Sequence, residues 1–210
     1  MKMKLFSCRR LCLLCHETTK NNISLCENCE RILPTPREIC TLNFNKTIIL
    51  FDYEFPYDRF ITKLKFGQDI VYAKLLGLLL ANAIPTFYKD QNLPELIIPV
   101  PLHAFRLKER GFNQSLEIAK TINKKLSIPI DRKTVYRKIN TPAQSSLSKI
   151  ERINNIKNAF ALNKELHFKH VAILDDVITT GQTINEITKL LLNHGIKKID
   201  AWCCARTPLI

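Results

Sequence analysis

From Thr47 onward, short continuous apolar runs alternate with stretches whose apolar residues recur at helical spacing. TIILFDYEF (47–55), ELIIPV (95–100), IDRKTVYRK (130–138), VAILDD (171–176) and IKKIDAWCCA (196–205) read as strands. The short continuous apolar run of ELIIPV suits a strand covered on both faces. Between them, PYDRFITKLKF (56–66) opens with a proline suited to a helix N-terminus and places Phe60 and Leu64 on one face. AKLLGLLLANAI (73–84) reads as a buried helix, and NQSLEIAKTINKKL (113–126) spaces Leu116, Ala119, Ile122 and Leu126 as an amphipathic one. A last helix carries Ile184, Ile187, Leu190 and Leu191 and stops at Gly195. Strand–helix–strand alternation predicts an α/β domain over 46–210, with a mostly parallel sheet flanked by helices. INTPAQSSLSKIERINNIKN (139–158) fits neither period and reads as a loop; loops that long in a compact domain are usually functional or disordered.

With 210 residues the chain has room for one such domain and a small appendage. Forty-six per cent hydrophobic residues and only five glycines exclude a disordered or fibrous chain. LLGLLLANAI (75–84) is too short to span a bilayer, so no integral membrane protein is expected. LFSC (5–8) mimics a lipoprotein cleavage site, but only Leu5 and Phe6 precede it where a signal peptide needs about 7–15 apolar residues. A cytosolic place follows as the expectation, with a peripheral position at the inner face of the cytoplasmic membrane left open. The formal net charge of +13 favours a polyanionic partner, whether nucleic acid, phosphorylated substrate or anionic membrane face. A merely solvated basic surface is the other reading.

Eight cysteines stand at 8, 12, 15, 26, 29, 40, 203 and 204. CLLC (Cys12, Cys15) and CENC (Cys26, Cys29) supply four thiolates in two knuckles, the donor set of a tetrahedral structural Zn²⁺ site. Four protein ligands leave no place for water, so such a metal would fold the segment 1–45 and take no part in catalysis. Cys8, Cys40 and His16 are the spare ligands. Cys203 and Cys204, in an apolar strand pattern, read as core residues.

VAILDDVITTGQT (171–183) carries the candidate chemistry. In open parallel sheets ligands bind beyond the carboxyl ends of strands, and Asp175 and Asp176 are placed at such an end. The TTGQT that follows leads into a helix N-terminus, whose unsatisfied N–H groups and positive dipole suit a phosphate. Gly181 lets the backbone approach the anion, and Thr179, Thr180 and Thr183 offer hydroxyl donors. Acids beside an anion cradle are compatible if the acids face neutral hydroxyls, as a ribose 5-phosphate would present. An ordinary strand–loop–helix with a threonine cap leaves the aspartate pair unexplained.

The same stretch resembles the signature of the type I phosphoribosyltransferases, which bind phosphoribosyl pyrophosphate (PRPP) with Mg²⁺. VPLHAFRLKERGFNQSLEIAK (100–120), RKINTPAQSSLSKIERINNIKNAF (137–160) and the double cysteine pair together resemble the ComF family of competence proteins. The likeness runs over nearly the whole chain. It implies a type I phosphoribosyltransferase-like sheet behind an N-terminal zinc module. Asp175 and Asp176 would contact the ribose and act at the reacting centre, while Thr179, Thr180, Gly181, Gln182 and Thr183 hold the 5′-phosphate. Pro101, Leu102 and His103 would form the pyrophosphate loop, with a strained or cis peptide near Leu102–His103. Arg106, followed by Lys108 and Arg110, would neutralise pyrophosphate, and 137–148 would be a mobile cover, with Gln144 and Arg152 taking part. Many members of the family carry a further cysteine pair, of which only Cys40 remains here. The partners implied are PRPP with Mg²⁺, single-stranded DNA entering during natural transformation, and the cytosolic side of the uptake machinery, a membrane channel or helicase. Phe112 and Tyr136, beside bases in RLKERGF and YRK, are the candidates for base stacking. Phosphoribosyl transfer itself stays open, since no acceptor pocket is recognisable. A purine-salvage-type phosphoribosyltransferase acting on a free base also fits the signature.

Overall fold

The computed structural model describes residues 10–21, 24–39, 44–139 and 156–208. Cys8, Cys40, Gln144, Arg152 and most of the expected cover lie outside them. The chain divides into two compact units, Met1–Pro34 and Thr35–Ile210.

In the first unit β1 (Arg10–Leu11) pairs antiparallel with β2 (Thr18–Thr19), and α1 (Glu27–Arg31) follows. The connection between β1 and β2 is a tight knuckle. Cys12 N–H donates to Glu17 O at 2.7 Å, His16 N–H returns to Cys12 O at 2.9 Å, and His16 takes a left-handed φ of 65°. Thr19 Oγ1 ties the two halves by donating to Leu25 O at 2.8 Å.

The second unit is built on a five-stranded sheet of order β3-β4-β9-β8-β5. Its strands are β3 (Arg37–Glu38), β4 (Lys46–Asp52), β5 (Leu96–Pro99), β8 (His170–Ile178) and β9 (Lys198–Arg206). Only the two-residue β3 is antiparallel to its neighbour; β4, β9, β8 and β5 run parallel, as the alternating pattern predicts. A separate ribbon pairs β6 (Val135–Arg137) with β7 (Phe160–Leu162). The helices are α2 (Asp58–Phe66), α3 (Val71–Ala83), α4 (Ala104–Arg110), α5 (Gln114–Leu126) and α6 (Gln182–Asn193), with a 3₁₀ turn at Ile84–Phe87.

Alternation along the strands sends one set of side chains to each face. Ile49, Ile98, Val171, Ile173, Ile199, Ala201 and Cys203 pack with Ile184, Ile187 and Leu191 of α6. On the other face α5 lies against β5 and β8, and α3 against β4 and β9. Cys203 and Cys204 are fully buried, as expected of core residues. Asp200, also fully buried, accepts from Tyr88 Oη at 2.5 Å and meets His170 Nε2 at 2.6 Å, while Trp202 Nε1 donates to Tyr88 Oη at 3.2 Å.

Some boundaries differ from the sequence reading. The strand expected over 130–138 is confined to 135–137, because Asp131 accepts from the N–H groups of Lys133 and Thr134 and turns the chain. Ahead of that turn Ile130 bridges to Ile97, covering the outer edge of β5. β8 does not stop at the aspartates but runs on to Ile178, because β9 continues beside it to Arg206.

Candidate functional site

β5 and β8 end out of step. Pro99 pairs with Leu174, and Val100 N–H still donates to Leu174 O at 2.9 Å. From Asp175 onward this edge of β8 has no strand neighbour among the described residues, whereas its other edge stays paired with β9. A crevice at the carboxyl end of a parallel sheet results, and Asp175 and Asp176 stand at its mouth.

Neither acid is solvated like a surface carboxylate. Asp175 accepts from Ser115 Oγ at 3.3 Å and from the N–H of Asp176 at 2.9 Å. Burial first, and then the neighbouring Asp176 charge, push Asp175 up to about 7, with Lys65 pulling the other way. Asp176 forms an ion pair with Lys65, Nζ to Oδ1 2.9 Å. Burial pulls the Arg137 guanidinium down from its ordinary value, Asp175 favours its charged form, and Arg106 opposes it. Arg137 therefore lies within electrostatic reach of Asp175 and Arg106 within reach of Arg137, which also stands 5.6 Å over the Phe160 ring.

The loop after β8 is half-buried from Thr179 to Thr183. Gly181 takes φ 74°, a left-handed conformation that L side chains rarely adopt, and becomes the N-cap of α6. No side chain caps that helix and no acid occupies its first turn, so its positive end is presented at the loop. Gln182 and Thr183 are the first two helical residues. The anion cradle expected of Thr179, Thr180, Gly181, Gln182 and Thr183 falls on this left-handed turn and the first two helical residues.

Pro101, Leu102 and His103 leave β5 as a half-exposed segment. Here one expectation is corrected. Among the described residues the only cis peptide bond is Phe55–Pro56, so Leu102–His103 is trans. His103 has ordinary extended angles (φ −63°, ψ 147°) because it is the N-cap of α4, its Nδ1 accepting from Phe105 N–H at 3.3 Å. Arg106 pairs with Glu109 at 2.9 Å across one helical turn. RGFNQ has a structural meaning as well. Gly111, at φ 77°, closes α4, and Asn113 caps α5 by accepting from Leu116 N–H. Asn113 also donates through Nδ2 to Val100 O at 3.0 Å, fixing the end of β5 to the start of α5. Arg110 donates to Gln114 Oε1 at 3.2 Å.

Sequence reasoning missed Lys65 and Ser115, and assigned Arg137 to a cover and to the bases beside Tyr136, not to the acids. Ser115 directly follows RGFNQ and was within reach of that motif. Lys65 has no local signal: it is one of two lysines in the last turn of α2, chosen by the packing of that helix alone.

In the first unit the sulfurs of Cys12, Cys15, Cys26 and Cys29 all lie within 4.8 Å of one another. A tetrahedron of bonds about 2.3 Å long has edges of about 3.8 Å, and the Cys15–Cys26 sulfurs are 3.6 Å apart. The donor set thus fits a metal ion. Burial opposes charge on Cys12, but N–H donors from Cys15, Cys26 and Leu14 outweigh it and draw the thiol down to about 7.

The parallel sheet and the aspartate-bearing strand–loop–helix define a type I phosphoribosyltransferase fold, and residues 111–208 match the phosphoribosyl transferase domain family. The purine phosphoribosyltransferase of Pyrococcus horikoshii Ot3 aligns over 66% of this chain and 77% of that one, at 18% identity and a TM-score of 0.39. The chain belongs to the ComF family. It is 38% identical to Competence protein F of Haemophilus influenzae, covering 86% of this chain and 78% of that protein. It is 32% identical to DNA utilization protein YhgH of Salmonella typhimurium (94% and 90% covered) and 25% to Competence protein ComFC of Bacillus subtilis (90% and 78%).

Proposed function

We propose that this chain binds PRPP with Mg²⁺ at the carboxyl end of β8 and handles single-stranded DNA in the cytosol during natural transformation, with zinc held by Cys12, Cys15, Cys26 and Cys29. One observation carries the sugar-phosphate reading. A half-buried Asp175 and a buried Asp176, with Arg137 and Lys65 beside them, stand on β8 where β5 has ended, and the next turn is an uncapped helix start behind a left-handed glycine. Asp175 and Asp176 would accept from the ribose diol, and the loop from Thr179 to Thr183 would donate to the 5′-phosphate. Pro101, Leu102 and His103 would line the pyrophosphate, with Arg106 and Arg137 balancing its charge. Bound Mg²⁺ would supply further neutralisation of pyrophosphate and acids together.

The nucleic-acid part rests on charge and on the names of the relatives. A groove of about 550 Å³ runs between α3 and α5, lined by Lys74, Lys120, Lys124 and Lys125 with Glu117 as its one acid. Lys120 pairs with Glu117 and Lys125 reaches Asn82, while Lys74 and Lys124 form no ion pair with any described residue. The same helix carries Ser115 at its start; at 1.5 Å per residue the lysines extend about 15 Å from the acids. A phosphate backbone suits such a track. Tyr136, 38% exposed, is better placed to stack on a base than the half-buried Phe112. No described helix is long and apolar enough to cross a membrane.

The deciding assay mixes the protein, Mg²⁺ and labelled PRPP with free purine bases or with single-stranded DNA. PRPP retention and salt-dependent strand binding without base consumption are expected. Pyrophosphate release with a free base would instead establish the salvage-type enzyme. Replacing Asp175 and Asp176 together by Ala should abolish PRPP binding with the fold intact; retained affinity would refute the site. Lys74→Glu with Lys124→Glu should weaken strand binding at least tenfold and flatten its salt dependence.

A further inference from the structure

Two adjacent carboxylates at a nearly buried strand end repel each other and lose hydration, so the ligand-free protein requires a compensating charge close by. α2 provides it. Phe60, Ile61 and Leu64 are fully buried and fasten this helix to the core, which leaves little freedom for the residue that follows. Lys65 extends from that anchored turn to within 2.9 Å of Asp176 Oδ1, the two side chains being 21% and 10% exposed. The other groups near the acids act on Asp175 or carry no positive charge. Ser115 of α5 is a neutral donor, and Cys203 and Cys204 of β9 are thiols that burial holds protonated. Arg137 of β6 faces Asp175 and has Arg106 as a competing neighbour. Lys65 is the cation whose ammonium contacts Asp176.

We propose that Lys65 is a positioning residue for the sugar-binding acids: its ammonium orients Asp176 and offsets the joint negative charge of the pair before the ligand arrives, and so sets the lowest pH at which PRPP with Mg²⁺ binds. The inference rests on the PRPP reading of the same site. Removing the ammonium leaves the two carboxylates without the charge that offsets their repulsion. They then reach the charge state that accepts a diol and tolerates Mg²⁺ only at higher pH.

The test is calorimetric titration of the full chain with PRPP and Mg²⁺ from pH 6 to 9, for the parent, Lys65→Met and Lys65→Arg. Lys65→Met should bind about tenfold more weakly at pH 7, with the acidic limb of its affinity profile moved up by about one pH unit. Lys65→Arg, which keeps the charge, should restore most of both. A Lys65→Met profile that superimposes on the parent's overturns the proposal, as does an equal affinity loss at every pH, which would mark a purely structural role. A second, ligand-free arm separates this inference from the reading beneath it. At pH 8 Lys65→Met should lower the melting temperature, and adding Asp176→Asn should recover most of that loss. Independent, additive shifts would overturn the proposed pairing whether or not PRPP binds. Should the parent bind no PRPP at all, the site reading falls and the role of Lys65 in PRPP binding falls with it, while the melting data alone decide the ion pair.

Discussion

Asp175 holds its proton more tightly in the folded protein than in the unfolded chain, titrating near 7 against about 3.9 for a free side chain. A raised folded value stabilises the fold fully below pH 4, and that contribution is lost as pH climbs through 7. Asp175→Asn removes the repulsion with Asp176 and keeps the shape. It should make the ligand-free protein about 1–2 kcal/mol more stable above pH 7, with the gain shrinking as pH falls and vanishing below about pH 4. Thermal melts across that range check the sign, and a stability gain independent of pH would contradict the burial argument. A second buried acid is arranged differently. Asp200 takes two partners through Oδ2, Tyr88 and His170, while Oδ1 has none among the described residues. Tyr88→Phe removes a donor to an acid that has no spare one, and should cost about 1.5–3 kcal/mol in a denaturant titration. Since this cluster lies at the amino ends of β8 and β9, away from Asp175, PRPP affinity should be unchanged.

Packing of helix on helix decides where the lysine-lined groove lies. A Cβ on Gly77 would sit 2.6 Å from Thr121 Cβ and 2.8 Å from Ile118 O, so α3 and α5 approach each other only because α3 has a glycine at the crossing. Gly77→Val should destabilise by about 1–3 kcal/mol or more through overpacking, and should weaken strand binding too, because the lysines stand on both sides of that contact. Gly195, where an added Cβ would meet nothing within 4 Å, has no such packing role. Much of this level was legible in the sequence. The helical spacing of Leu116, Ala119 and Ile122 located α5, and continuous apolar runs located β4, β5, β8 and β9, because each depends on a local period. The shortness of β6 was hidden: its limits come from the Asp131 turn and from pairing with a strand more than twenty residues on. The aspartates and the Gly181 loop were readable as a motif. Lys65 was not, since its role depends on how α2 sits against β8.

At the scale of the molecule, the two units draw on different sources of stability. Between Arg10 and Pro34 the described fully enclosed side chains are few, chiefly Cys12 and Leu25, with Cys29 and Thr19 nearly so. A unit below about 40 residues seldom holds itself together without metal or disulfide, and its four sulfurs converge. Chelation of purified protein should therefore abolish amide protection across residues 10–34 while the sheet of the second unit keeps its melting transition; protection that survives metal removal would refute the zinc assignment. The second unit relies on its sheet, and there the order of strands has a consequence for biosynthesis. β9 is the last of the described strands in chain order yet lies in the middle of the sheet, between β4 and β8. Until it emerges from the ribosome, the earlier strands form two separate halves with bare inner edges, a state open to misassembly. A stop codon just before Lys198 should thus give aggregated protein, not a weakened but folded one, and the nascent domain should need shelter until that final stretch arrives.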